Sequence, residues 1–324
     1  MKSHLEKGAR RVVGAQTSCE SHSLGLCPGE KVEIRGESEI LATLDENGTF
    51  EGLQFMPEMR KYCGRKFKVL NRVNKIMVEG HGVRRMKNTV NLEGVTCDGK
   101  AHSGCQRSCF VLWKEAWLKR VQDHSNKHRP SNYIPLETNK VKKAQDKIVF
   151  CQSTNLLKAS LNTYPFISRI DQFCKDIKCS RSAIEPFSYM CMLLHSLNLK
   201  ARTIFTRKVQ TTIHGNLKRT PTISLNLQVG ELVEVRSQEE ILATLDSRGR
   251  NRGLGFSAEM LKYCGKRYQV LKRVDIAINE ETGKLRQINS TVILEGVTCD
   301  GTYHEHCKRN CYCLWREIWL KRVH

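Results

Sequence analysis

LEGVTCDG, residues 92–99, returns letter for letter at residues 294–301. The repetition spreads outward from there. Upstream, KYCGRKFKVLNRV (61–73) recurs as KYCGKRYQVLKRV (262–274), and GEKVEIRGESEILATLD (29–45) recurs as GELVEVRSQEEILATLD (230–246). Downstream, WKEAWLKRV (113–121) recurs as WREIWLKRV (315–323). The offset is 201 residues through the YCG motif and 202 from CDG onward, so one residue was gained in the charged stretch between them. The chain therefore carries one module twice, at residues 29–121 and 230–324. Residues 1–28 read as a flexible lead-in, and residues 122–228 form a dissimilar middle segment.

Within each module the pattern is mainly β with some α. VEIRG and VEVRS alternate as a first strand. SEILATLD and EEILATLD space Ile, Leu and Leu as a short amphipathic helix, with Ser38 as the expected N-cap of the first copy. Turn signals follow at Asn47-Gly48 and Arg248-Gly249. KFKVLNRVNKIMV and RYQVLKRVDIAIN read as long strands that return, through a polar turn at Glu281–Lys284 in the second copy, along TVNLEGVTC and TVILEGVTC. These elements predict two small, strongly bent antiparallel sheets, barrel-like by analogy with SH3-type folds. In the middle segment, residues 122–135 read as linker, and Ser182–Leu197 has the apolar spacing of a helix.

Four cysteines keep register in both copies. They are Cys63, Cys97, Cys105 and Cys109, matched by Cys264, Cys299, Cys307 and Cys311, with spacings C-x33-C-x7-C-x3-C and C-x34-C-x7-C-x3-C. If the strands pair as a hairpin, four thiolates converge at one end. That donor set suits a closed structural zinc site, and an iron–sulfur cluster accepts it as well. Zinc, two ions per chain, is the preferred reading; buried reduced core cysteines are the plainer alternative. His102 and His304, matched inside the loop after CDG, are auxiliary ligand candidates. Asp98 and Asp300 read as Asx-turn residues. Glu58 and Glu259 also match, and they read as solvated or salt-bridged. Trp113, Trp117, Trp315 and Trp319 read as core. Beside the LKRV cations they also suit a stacking face for a ligand or base.

Lys and Arg number 54 against 33 Asp and Glu, a formal charge of +21. The middle segment, residues 122–228, holds 17 of these cations against 6 acids. Such a balance suits an anionic partner, nucleic acid or an acidic protein. No run of 18 apolar residues is present, and the first 18 residues lack the apolar core of a secretory signal. The expected setting is therefore the cytoplasm, where repeated thiols serve metal before disulfides. No nucleophile–base pair or phosphate loop is legible, which leans the reading away from an enzyme.

The blocks EILATLD, GLxF-x-x-EM, YCG, LEGVTCDG and WREIWLKRV resemble an uncharacterised bacterial family with duplicated cysteine-rich modules, through both modules and around Phe150–Thr154. The resemblance implies a bacterial cytoplasmic protein. For some members it implies an accessory role beside specialised-metabolite genes. Two functions are carried forward. One is a non-catalytic, metal-stabilised binding protein. The other is an iron–sulfur redox accessory protein or enzyme component.

Overall fold

The computed structural model describes residues 23–121, 151–162 and 213–323. The middle-segment linker and the expected helix at 182–197 lie outside the described residues. Module 1 runs β1 (Lys31–Ile34), a helix at Glu37–Leu41, β2 (Thr49–Phe50), β3 (Leu53–Gln54), a 3₁₀ helix at Pro57–Tyr62, β4 (Lys66–Arg72), β5 (Lys75–Val78), β6 (Gly82–Arg85), β7 (Thr89–Thr96), β8 (Phe110–Lys114), a 3₁₀ turn at Glu115–Trp117 and β9 (Leu118–Arg120). Module 2 repeats the series as β10 (Leu232–Val235), a helix at Gln238–Leu242, β11 (Arg250–Asn251), β12 (Leu254–Gly255), a 3₁₀ helix at Ala258–Tyr263, β13 (Arg267–Arg273), β14 (Ile276–Ile278), β15 (Leu285–Gln287), β16 (Thr291–Thr298), β17 (Tyr312–Arg316), a 3₁₀ turn at Glu317–Trp319 and β18 (Leu320–Arg322).

Each module is a five-stranded antiparallel sheet, ordered β8-β7-β4-β1-β9 and β17-β16-β13-β10-β18. The first strand sits between the last and the second long one, and a 3₁₀ turn precedes the closing strand. That is the winding expected of an SH3-type barrel. Register shifts between Val69 and Asn71, and between Asn91 and Thr96, bend the sheet on itself. The strand read as continuous through KFKVLNRVNKIMV breaks after Arg72, and β5 turns away to form its own hairpin with β6.

The four tryptophans fill the two barrels and are fully buried. Trp113 meets Trp117 edge-on at 6.4 Å, and Phe55 and Phe256 stand edge-on to Trp117 and Trp319 at 5.5 and 5.3 Å. No stacking face is offered to a ligand, because the rings are wholly buried and packed edge-on against each other and against phenylalanine. The first helix of module 1 starts after Gly36, whose N–H donates to Glu39 at 2.8 Å, so Ser38 lies inside the helix rather than capping it. The copy in module 2 does use a serine cap, Ser237, which accepts from the Glu240 N–H.

The repeat extends further than its most obvious blocks. Ser23–Glu30 (SLGLCPGE) matches Ser224–Glu231 (SLNLQVGE), and Leu26 and Leu227 are both completely buried. The fold thus takes in residues 23–28, ahead of the boundary read at 29. Buried Glu115 and Glu317 anchor these segments. Glu115 accepts from the N–H groups of Gly25 and Leu26, and Glu317 from those of Leu225, Asn226 and Leu227.

The modules face each other across an approximate two-fold axis. The Gln106 N–H donates to Ile276 O and the equivalent Lys308 N–H donates to Lys75 O, both at 2.9 Å. Phe110 and Tyr312, equivalent to one another, stack at 5.4 Å with ring planes 22° apart. Each loop after CDG reaches into the other module. The Met77 N–H donates to Cys307 Sγ at 3.2 Å, and the Ile278 N–H is bonded to Cys105 in the same manner.

One piece of the middle segment breaks the symmetry. Residues 151–162 lie along β8, an edge strand of the first sheet. Gln152 acts there as a short strand in itself: Oε1 accepts from the Leu112 N–H, and Nε2 donates to Leu112 O, both at 2.9 Å. A backbone bridge between Leu161 and Arg85 ties down the other end.

Candidate metal centre

The 3₁₀ helix at 57–62 follows a proline, which suits a first helical position. It points Glu58 inward toward the end of β7, where Cys97 leaves the sheet. Asp98 then caps a turn by accepting the Lys100 N–H at 3.0 Å, and Gly99 follows at φ 74°. The chain passes so close to itself here that a Cβ on Gly99 would stand 1.7 Å from Cys105 O; at Gly301 the figure is 2.0 Å. Only glycine permits that crossing, and the crossing brings His102 back over Glu58.

The result is a buried trio. His102 Nε2 lies 2.5 Å from Glu58 Oε1, and the Cys97 thiol donates to the same oxygen at 3.1 Å. Module 2 repeats it, with Glu259 Oε1 3.2 Å from His304 Nε2 and Glu259 Oε2 accepting from Cys299 at 3.2 Å. In each trio the carboxylate, sulfur and nitrogen atoms all lie within 4.8 Å of one another, so each trio can hold a metal ion. Glu58 Oε2 and His102 Nδ1 are buried without a hydrogen-bond partner. Two orphaned polar atoms in one site are the mark of an absent partner such as an ion or a water.

The electrostatics act in opposite directions on the carboxylate and the thiol. Burial works to raise the Glu58 carboxyl, but the hydrogen bond and charge of His102 and the bond from Cys97 outweigh it and hold it below its ordinary value. Burial, reinforced by the Glu58 charge, pushes the Cys97 thiol far up, and Cys299 is raised by the same causes. A bound cation reverses that second effect, because it favours the thiolate.

Of the four thiols set together by spacing in each copy, Cys97 and Cys299 stand in the trios. Cys105 lines the same cavity but spends its sulfur on the Ile278 N–H of the other module. Cys109 lies beside Cys97, whose N–H donates to Cys109 O at 2.8 Å. Cys63 ends the 3₁₀ helix that carries Glu58; it packs against the hydrophobic core, and burial raises its thiol to about 11. The counterparts of Cys63, Cys105 and Cys109, namely Cys264, Cys307 and Cys311, are likewise outside the second trio. The trios also bring in His102 and His304, read as auxiliary, and Glu58 and Glu259, read as solvated or salt-bridged; each glutamate does pair with its histidine. The recurrence of EM at the two glutamates was the available signal. Cys151 figured in the sequence only within the Phe150–Thr154 stretch of the resemblance, not as a ligand. It joins Cys97, His102, Cys105 and Cys109 around a cavity of about 30 Å³ that Ile278, Glu280 and Arg309 of module 2 close from the other side. That is room for about one water molecule or one ion, and it places further thiols beside the first trio.

The two trios differ in enclosure. His102 is 2% exposed and His304 37%. No helix among the described residues is long and apolar enough to cross a membrane. No protein-family model, curated protein or solved structure matches the chain.

Proposed function

We propose that this chain is a non-catalytic, metal-stabilised binding protein. One zinc ion per module is held by Glu58, Cys97 and His102 and by Glu259, Cys299 and His304, with a neighbouring thiol or water completing four ligands. The observation that carries the reading is the trio built twice from equivalent positions, with two orphaned buried atoms in the more enclosed copy. Mixed oxygen, sulfur and nitrogen donors within 4.8 Å of one another favour a single borderline ion over an iron–sulfur cluster, which takes mostly thiolates. The proposed partner is an anionic macromolecule, nucleic acid first, on account of the +21 charge and exposed Arg65, Lys66 and Lys68 on the sheet.

Elemental analysis of anaerobically purified protein is expected to give two zinc per chain. Iron with acid-labile sulfide would instead establish the redox-accessory reading. Chelation is expected to be biphasic, the His304 site losing its ion first because the solvent reaches it. His304→Ala should remove the fast phase alone, and loss of the slow phase would contradict the assignment. Binding to single-stranded and duplex oligonucleotides should weaken steeply with salt, as release of condensed counterions requires. A salt-independent affinity, or none, would remove nucleic acid as the partner.

A further inference from the structure

The pseudo-symmetry supplies an internal control at one position where the modules part company. In module 1, Lys114 is fully buried at the end of β8, and its ammonium donates to the Glu51 carboxylate at 2.8 Å and to Lys87 O at 2.9 Å. The pair is neutral. In module 2 the equivalents are Arg316 for Lys114, Arg252 for Glu51 and Asn289 for Lys87. The carboxylate has become a second cation.

Arg316 is only 7% exposed. It donates to Asn251 O at 3.3 Å, Asn289 O at 2.5 Å, Thr291 Oγ1 at 3.0 Å and Arg252 O at 2.9 Å. Those neutral acceptors occupy four of its five N–H groups. The fifth, on Nη2, has no partner among the described residues, and no described carboxylate pairs with Arg316 or Arg252. A buried guanidinium held only by carbonyls and a hydroxyl keeps its charge and lacks a counter-ion, an arrangement that is costly unless an anion completes it. Burial, then Arg252 and Arg286, depresses the Arg316 guanidinium below its ordinary value, which is the direction expected of a cation without counter-charge.

The same residues border an open cleft of about 280 Å³ whose lining includes Arg252, Ser290, Thr222 and Arg316. Arginine forks and hydroxyls are the donors that recognise planar or tetrahedral oxyanions. The volume is close to the lower end of small-molecule sites, about 300 Å³. We infer that this cleft of module 2 is a binding site for the phosphate or carboxylate group of a small molecule, with Arg316 and Arg252 supplying the counter-charge. The inference does not rest on the metal reading; it concerns the opposite end of β17 from Cys311.

The test uses the full chain and inorganic phosphate as probe, with acetate as the carboxylate arm and sodium chloride at matched ionic strength as control. The comparison variant is Arg252→Glu with Arg316→Lys, which copies the Glu51–Lys114 pair. Glu51 and Arg252 share a left-handed backbone, φ 48° and 46°, so the exchange fits the chain. By calorimetry the native protein is expected to bind phosphate or acetate at one saturable site with a dissociation constant of about 1 mM or tighter. The double variant should bind at least about tenfold more weakly while its unliganded thermal midpoint stays level or rises. Phosphate saturating and acetate not would define a phosphate site, and the converse a carboxylate site. Heats indistinguishable from chloride for both probes, or equal binding by the variant, would overturn the inference.

Discussion

Glu280→Ala is expected to cost about 3–5 kcal/mol and to split a single unfolding transition into two, read by calorimetry or urea titration. Glu280 sits between the modules. It accepts from Arg309 at 2.6 Å and pairs with Arg107 at 2.7 Å, and these arginines occupy equivalent positions in the two loops. Burial works to raise the Glu280 carboxyl, but the two guanidinium groups outweigh it and hold it at about 2. Removing the carboxylate leaves two cations facing one another at an interface from which water is largely excluded. The pH dependence has a definite sign. The folded value lies below the ordinary 4.5, so the stabilisation is fully present above pH 4.5 and is lost as the pH falls from 4.5 toward 2. A gap of that size amounts to about 3 kcal/mol. Glu280→Gln should keep the shape and abolish this acid limb. An unchanged acid limb in the Gln variant would place the sensitivity elsewhere.

Glu317→Ala should be comparably damaging, about 3–5 kcal/mol, for a different reason. Its fully buried carboxylate accepts three backbone N–H groups, at Leu225, Asn226 and Leu227, and pairs with Arg273 at 2.9 Å. Truncation strands those donors and the arginine at once. Hydrogen exchange at residues 225–227 should accelerate to the rate of global unfolding or faster. Glu115→Ala should behave alike in module 1 but with a smaller loss, since there the carboxylate holds two N–H groups along with Arg72. Normal protection at 225–227 in the Glu317 variant would show that Leu227 alone anchors the segment.

The duplication, the mainly β character with bent, barrel-like sheets and the Asx turns at Asp98 and Asp300 were legible in the sequence, because repeated blocks, strand alternation and turn residues are read from short stretches of chain. The grouping of glutamate, cysteine and histidine was not. Glu58, Cys97 and His102 come from a 3₁₀ helix, a strand end and a loop, and nothing local distinguishes Glu58 from the equally repeated Cys63, which follows the end of the same helix. The fate of Cys105 depends on the loop crossing to the other module, a contact that no spacing within one copy encodes. Gln152 and Cys151 had no repeat partner to draw attention to them. The tryptophans were ambiguous because i, i+4 spacing is shared by a core stripe and an exposed face; the 3₁₀ turn between β8 and β9 folds both rings inward.

The two-fold interface has a consequence for how this chain can change. In a homodimer of identical subunits every substitution appears twice, and a charge placed near the axis meets its own copy. Here the halves are joined in one polypeptide, so each can be altered alone. Glu280 serves both arginines while its counterpart Glu79 is exposed, and Glu51 gives way to Arg252 on one side only. Residues 151–162 cover one edge and not its mate. Joining the halves in one polypeptide makes a near-symmetric object whose two halves are free to specialise.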